Sequence, residues 1–159
     1  MGLDMYLYLR KQNYKSRFRN EGSASNLYPK ELESFEREIS KRNFVSITTN
    51  VDCQVGYWRK ANAIHSWFVE KCADGVDQCQ EIYVSIESAK ELKKLCEQVL
   101  KNEKQAEDLL PTCDGFFFGT TEYDEWYFDD LKYTKDILDK VIKFVESHED
   151  YQIVYRASW

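Results

Sequence analysis

Val55-Gly56-Tyr57-Trp58-Arg59-Lys60-Ala61-Asn62-Ala63-Ile64-His65-Ser66-Trp67-Phe68-Val69-Glu70-Lys71-Cys72 is the stretch from which the rest of the chain is read. Gly56 breaks the segment before it, and from Tyr57 to Cys72 the apolar positions recur at the helical period. Tyr57, Ala61, Ile64, Phe68 and Cys72 form one stripe, which predicts a helix over 57–72 ended by the turn Asp74-Gly75.

Working outward toward the N-terminus, Met5-Tyr6-Leu7-Tyr8-Leu9 is short, apolar and aromatic, as a strand should be, with Arg10 and Lys11 carrying it into solvent. Residues 12–26 are polar and basic and read as a mobile loop. Pro29 suits an early helical position, and Leu32, Phe35, Glu36 and Ile39 follow at helical spacing, giving a helix over 29–42. Phe44 to Thr49 is β-branched and predicts a strand.

Toward the C-terminus, Glu81–Val84 reads as a strand, and Ser85 caps a helix over 86–102 with Leu92, Leu95, Cys96 and Val99 inward. Phe116-Phe117-Phe118-Gly119 is extended, and Thr121-x-x-Asp124 resembles a capping box opening a helix over 122–147. Tyr127, Leu131, Leu138, Val141 and Val145 share one face of it. Tyr151–Trp159 alternates as a final strand beside the first. The expected class is α+β, or mixed α/β: one small sheet holding both terminal strands, packed against three or four helices, in a single globular domain over 1–159.

Composition narrows the function classes. A chain of 159 residues can bury a sizeable core. Its formal net charge of −6 argues against a duplex nucleic acid partner, because phosphate neutralisation needs a basic face. The charge is uneven: basic residues gather between Arg10 and Arg19, and acidic ones between Glu122 and Asp150. Five cysteines at irregular spacing, with no signal-like start, read as reduced thiols in a cytoplasmic protein. No apolar run suits a membrane span, so no membrane partner is expected. Whether copies of the chain associate is left open.

Two segments carry candidate chemistry. On the predicted helix, Trp58, Asn62, His65 and Val69 line one edge of the apolar stripe, with Arg59 just beyond. An indole, an amide, an imidazole and a guanidinium on one edge can stack a planar group, hydrogen-bond its rim and meet its charge. In Gly115-Phe116-Phe117-Phe118-Gly119-Thr120-Thr121-Glu122-Tyr123-Asp124-Glu125-Trp126, two glycines bracket three aromatics, and carboxylates crowd a helix start. Capping alone explains some of those acids, and the others can accept from a ligand. Signatures of phosphate loops, nucleophile elbows, dinucleotide turns and zinc helices are missing, and Cys72 and Cys79 lack metal-ligand spacing. No metal or cofactor is expected.

Met1-Gly2-Leu3-Asp4-Met5-Tyr6-Leu7, Val55 to His65, and Gly115 to Gly119 running into Glu122-Tyr123-Asp124-Glu125 resemble a family of small uncharacterised proteins encoded by bacteriophages and bacteria. The similarity covers most of the chain from residue 44 onward. Its members often carry the label phosphoglycerate kinase. That enzyme needs a chain more than twice this length and nucleotide-binding features missing here, so the resemblance implies a phage context and a shared site rather than that reaction. Small accessory phage proteins often counter host defence by binding an effector or capturing a nucleotide signal.

The leading expectation is a protein that sequesters a small, planar, anionic, nucleotide-like ligand without turnover. Tyr57, Trp58, Phe117 and Trp126 would stack or wall the base; Arg59 and Lys60 would meet phosphate. Asn62 and His65 would read polar edges, while Glu122 and Asp124 would accept from ribose or base donors. Two alternatives stand beside it. One is a protein–protein inhibitor of a host enzyme or defence factor, docking through residues 10–19 or 122–150. The other is a hydrolase acting on nucleotides, with His65 and Glu122 or Asp124 as acid and base.

Overall fold

The computed structural model describes residues 2–15, 29, 31, 32, 34, 35, 47–115 and 118–159. Its contacts gather into two compact units, Met1–Arg10 with Cys53–Trp159, and Lys11–Asp52. Strands β1 (Asp4–Lys15), β2 (Ile47–Arg59), β3 (Ile82–Val84) and β4 (Tyr151–Ser158) form one antiparallel sheet in the order β2-β1-β4-β3. β3 and β4 pair with Ile82 opposite Tyr155, Tyr83 opposite Val154 and Val84 opposite Ile153. In the larger unit the helices are α1 (Asn62–Cys72), α2 (Ile86–Lys101), α3 (Ala106–Leu109) and α4 (Glu125–Ser147), with a 3-10 turn at Glu103–Gln105. The class is α+β, with the two terminal strands adjacent.

In the larger unit, β1 shows why. Leu3, Met5, Leu7 and Leu9 are all buried on one face, the period-two pattern of a strand laid over a core. Tyr6 and Tyr8 turn to the other face, where their rings stack and Tyr6 meets Tyr57. Arg10 does not carry the strand into solvent. It is buried, its guanidinium forked onto Glu81 at 2.6 and 2.9 Å, because a bidentate carboxylate satisfies the charge. The strand then continues to Lys15, so the start of the loop expected at 12–26 is strand; residues 16–26 lie outside the described residues.

In the smaller unit, residues 31, 32, 34 and 35 are helical, while most of the predicted helix 29–42 and Phe44–Ser46 lie outside the described residues. Leu32 and Phe35 are exposed.

α2 begins at Ser85, whose hydroxyl accepts from the Ser88 backbone N–H. Leu92, Cys96 and Val99 are buried as expected, and Leu95 is half-buried. α2 packs chiefly on α4, which buries Tyr127, Leu131, Thr134, Ile137, Leu138, Val141 and Ile142. α4 starts three residues later than expected. Asp124, not Thr121, is its cap: Oδ1 accepts from the Tyr127 N–H at 3.1 Å. No described helix is long and apolar enough to cross a membrane, and all five cysteines are free.

The principal correction concerns 55–61. Tyr57, Trp58 and Arg59 are the end of β2, not the first turn of a helix. Burial alternates there, with Gly56 and Trp58 inside and Tyr57 and Arg59 outside. Gly56 is no breaker but a gap: a Cβ on it would lie 2.9 Å from the Trp58 ring and 3.2 Å from Leu7 Cβ. α1 follows only after a corner at Lys60 and is buried on nearly every side, as a helix enclosed by other elements must be.

A candidate ligand cleft between the corner at Lys60 and the start of helix α4

Lys60 turns the chain from β2 into α1 with φ of 63°, a left-handed conformation that costs a side-chain-bearing residue about 1 kcal/mol. Its N–H donates to Leu3 O at 2.8 Å, and Asn62 N–H donates to Lys60 O at 2.8 Å. Glycines flank its stem. A Cβ on Gly2 would come within 3.3 Å of Lys60 Cε, and one on Gly119 within 3.1 Å of Lys60 Cβ. Gly119 has φ of 91°, which a side chain would resist as well. Gly2 and Leu3 of the first segment and Gly119 of the third thus converge on one lysine of the 55–65 segment.

Asn62 is the latch that brings the third segment in. Buried at the start of α1, it donates from Nδ2 to Phe118 O (3.1 Å) and Thr120 O (2.8 Å). Its Oδ1 accepts from the Cys113 N–H at 3.1 Å. Thr112 adds a hydroxyl hydrogen bond to Thr121 O at 2.9 Å. The segment before α4 is therefore stitched to α1 by side-chain-to-backbone bonds.

These contacts leave a cleft of about 580 Å³, within the range of small-molecule sites. Arg59, Lys60 and Asn62 line it together with Glu122, Asp124, Trp126, Asp129, Asp130 and Tyr133. Among the described residues neither Arg59 nor Lys60 is ion-paired, and Trp126 is 77% exposed at the rim. Asp124 is occupied as the cap and Asp129 pairs with Lys132 at 2.8 Å. Burial, aided by Asp129 and Asp124, pushes the Asp130 carboxyl up to about 6.

Of the ten residues singled out from sequence, Arg59, Lys60, Asn62, Glu122, Asp124 and Trp126 line this cleft. Four do not line it within the described residues. Trp58 is 2% exposed, its indole N–H donating to Thr134 Oγ1 at 2.8 Å; it is core, because a strand places it inward. Tyr57 points to the outer face, where its hydroxyl donates to Asp4, and that bond holds the phenol above its ordinary range. His65 is buried, with Nδ1 2.7 Å from the Tyr155 hydroxyl and Nε2 3.0 Å from Asp77 Oδ2. Phe117 lies outside the described residues. Asn62 lines the cleft but spends its amide on main chain, so its part is to shape the site. Asp130 and Tyr133 were missed, although they follow Trp126 at i+4 and i+7 on one helix face.

Comparison with family models, curated proteins and solved structures finds no match to this chain.

Proposed function

We propose that the protein binds a small, planar, anionic ligand of the nucleotide class and holds it without turnover, as a phage protein would to withdraw a host defence signal in the cytosol. The observation that carries this reading is Lys60. A lysine kept in a left-handed corner, where glycine would relieve strain, and left unpaired beside Arg59, makes a local cationic end inside an acidic protein. Phosphate suits that end, and the exposed Trp126 ring, which lines the same cleft, can stack a base. The carboxylates beyond it accept from ribose or base donors.

Calorimetry against cyclic and linear nucleotides tests the reading. Saturable binding is expected, weakened roughly tenfold or more in Arg59→Ala and in Lys60→Gly, each of which removes a charged contact. Lys60→Gly should leave the melting temperature unchanged or higher, since glycine tolerates that backbone. Silence across the panel at high micromolar concentration sinks the proposal. Recovery of cleaved ligand removes the claim that nothing is turned over.

Trp126 also favours a second reading: a ring 77% exposed at the start of the acidic helix α4 could anchor a host protein in an inhibitory complex. Capture of one host partner that Trp126→Ala releases, with no nucleotide bound, would put this reading first. Nothing favours the hydrolase, because His65 faces Tyr155 and Asp77 rather than Glu122 or Asp124.

A further inference from the structure

The acidic groups that line the cleft differ in availability. Asp124 is committed to the N-terminus of α4 and Asp129 to Lys132. Among the described residues the Glu122 and Asp130 carboxylates accept no hydrogen bond. Of these two, Glu122 is exposed on the segment before the helix, whereas Asp130 is half-buried one turn below Trp126. Trp126, Asp130 and Tyr133 fall at i, i+4 and i+7, so an aromatic ring, a carboxylate and a phenol follow one another down the side of α4 that lines the cleft.

Several neutral donors nearby are spent. Thr112 donates to Thr121 O, Tyr127 to Leu110 O, and the Asn62 amide to Phe118 O and Thr120 O. A planar base lying on Trp126 then meets, in the Asp130 carboxylate one turn on, a group that accepts and does not donate. Adenine presents a donor beside an acceptor on its pairing edge, and uracil a donor between two acceptors, so each would turn a lone pair toward a carboxylate. Guanine presents N1–H and the 2-amino group side by side, which a carboxylate receives with both oxygens.

Resting on the nucleotide reading above, we propose that the cleft selects guanine, with the base against Trp126 and its N1–H and 2-amino edge on the Asp130 carboxylate. Arg59 and Lys60, which line the same cleft, take the phosphate. A half-buried carboxylate without a donor is an unfavourable thing to keep, and a ligand that supplies two donors removes the cost.

The test is calorimetry with guanosine, inosine, adenosine, uridine and xanthosine monophosphates, on the full chain and on Asp130→Asn. The parent should bind the guanine nucleotide about tenfold or more tighter than the inosine one, which lacks only the 2-amino donor. In Asp130→Asn the amide offers one acceptor and one donor, so the preference should invert toward xanthine, whose 2-oxo group accepts. A purely structural aspartate would not produce that exchange. Glu122→Gln should keep the guanine preference. Equal affinity for all five nucleotides, or no exchange in Asp130→Asn, overturns the guanine assignment while nucleotide binding stands. Binding of none overturns both.

Discussion

Asn62 illustrates how a residue of plausible ligand chemistry can be claimed by the fold. Its amide reaches three backbone groups of a segment more than fifty positions away, two as donor and one as acceptor. Backbone groups that cannot find water need such partners. Removing the amide leaves Cys113 N–H without its acceptor and frees the segment that carries Thr120 to Asp124. Asn62→Ala should cost about 2–4 kcal/mol, the sum of a few buried hydrogen bonds. Urea unfolding reads that loss, and hydrogen exchange should show faster protons at Cys113 with little change in β4. His65 is similar in kind. Its imidazole bridges Tyr155 on β4 to Asp77 and stands edge-on to Phe118, so it holds parts of the molecule together rather than facing a ligand.

At the scale of elements, the same residues read differently according to the period applied to them. Tyr57 and Ala61 match a helical stripe that continues into Ile64 and Phe68, but the backbone keeps period two through Arg59 and bends at Lys60. Aromatic residues favour strands, and Gly56 in front of Trp58 is what a large inward ring requires of its neighbour. Helix starts were more legible, since a cap is local chemistry. Ser85→Ala should lower stability by about 1 kcal/mol by stripping the Ser88 N–H of its acceptor. Thermal and urea denaturation would measure this, and ligand affinity should not move, because Ser85 is far along the chain from every cleft residue and lines none of it. A loss of affinity comparable to the loss of stability would show that the cleft depends on α2.

For the whole molecule, Asp130 couples folding to pH. Its carboxyl is raised from 3.8 to about 6 in the folded chain, chiefly by burial. Between those values the folded state holds a proton that the unfolded state has released, so this group makes stability fall as pH rises through the window. Above it, the folded protein carries a poorly solvated charge. Asp130→Asn should therefore be the more stable protein at pH 7.5, by on the order of 1 kcal/mol once solvent screening at this half-exposed position is allowed for. The advantage should vanish near pH 4, where aspartate is protonated in the folded state as well. Urea midpoints of parent and variant at the two pH values decide it; a variant less stable at pH 7.5 would contradict the burial argument. A group that weakens the fold and lines the cleft is what selection for binding, rather than stability, would leave in place.

The local order of residues was enough to determine β1, α2, α4 and β4, because alternation, helical spacing and a capping serine act within a few positions. It was also enough to mark 55–65 and 115–125 as the segments worth pairing. Only the tertiary structure decided that Trp58 and His65 belong to the core while Asp130 joins Arg59 and Lys60 at the cleft. Which side of a chain faces a cavity depends on partners distant in sequence: Leu3 bonded to Lys60, the Cys113, Phe118 and Thr120 backbone on Asn62, and Tyr155 against His65. Those contacts form once the segments have packed, and no window of neighbouring residues contains them.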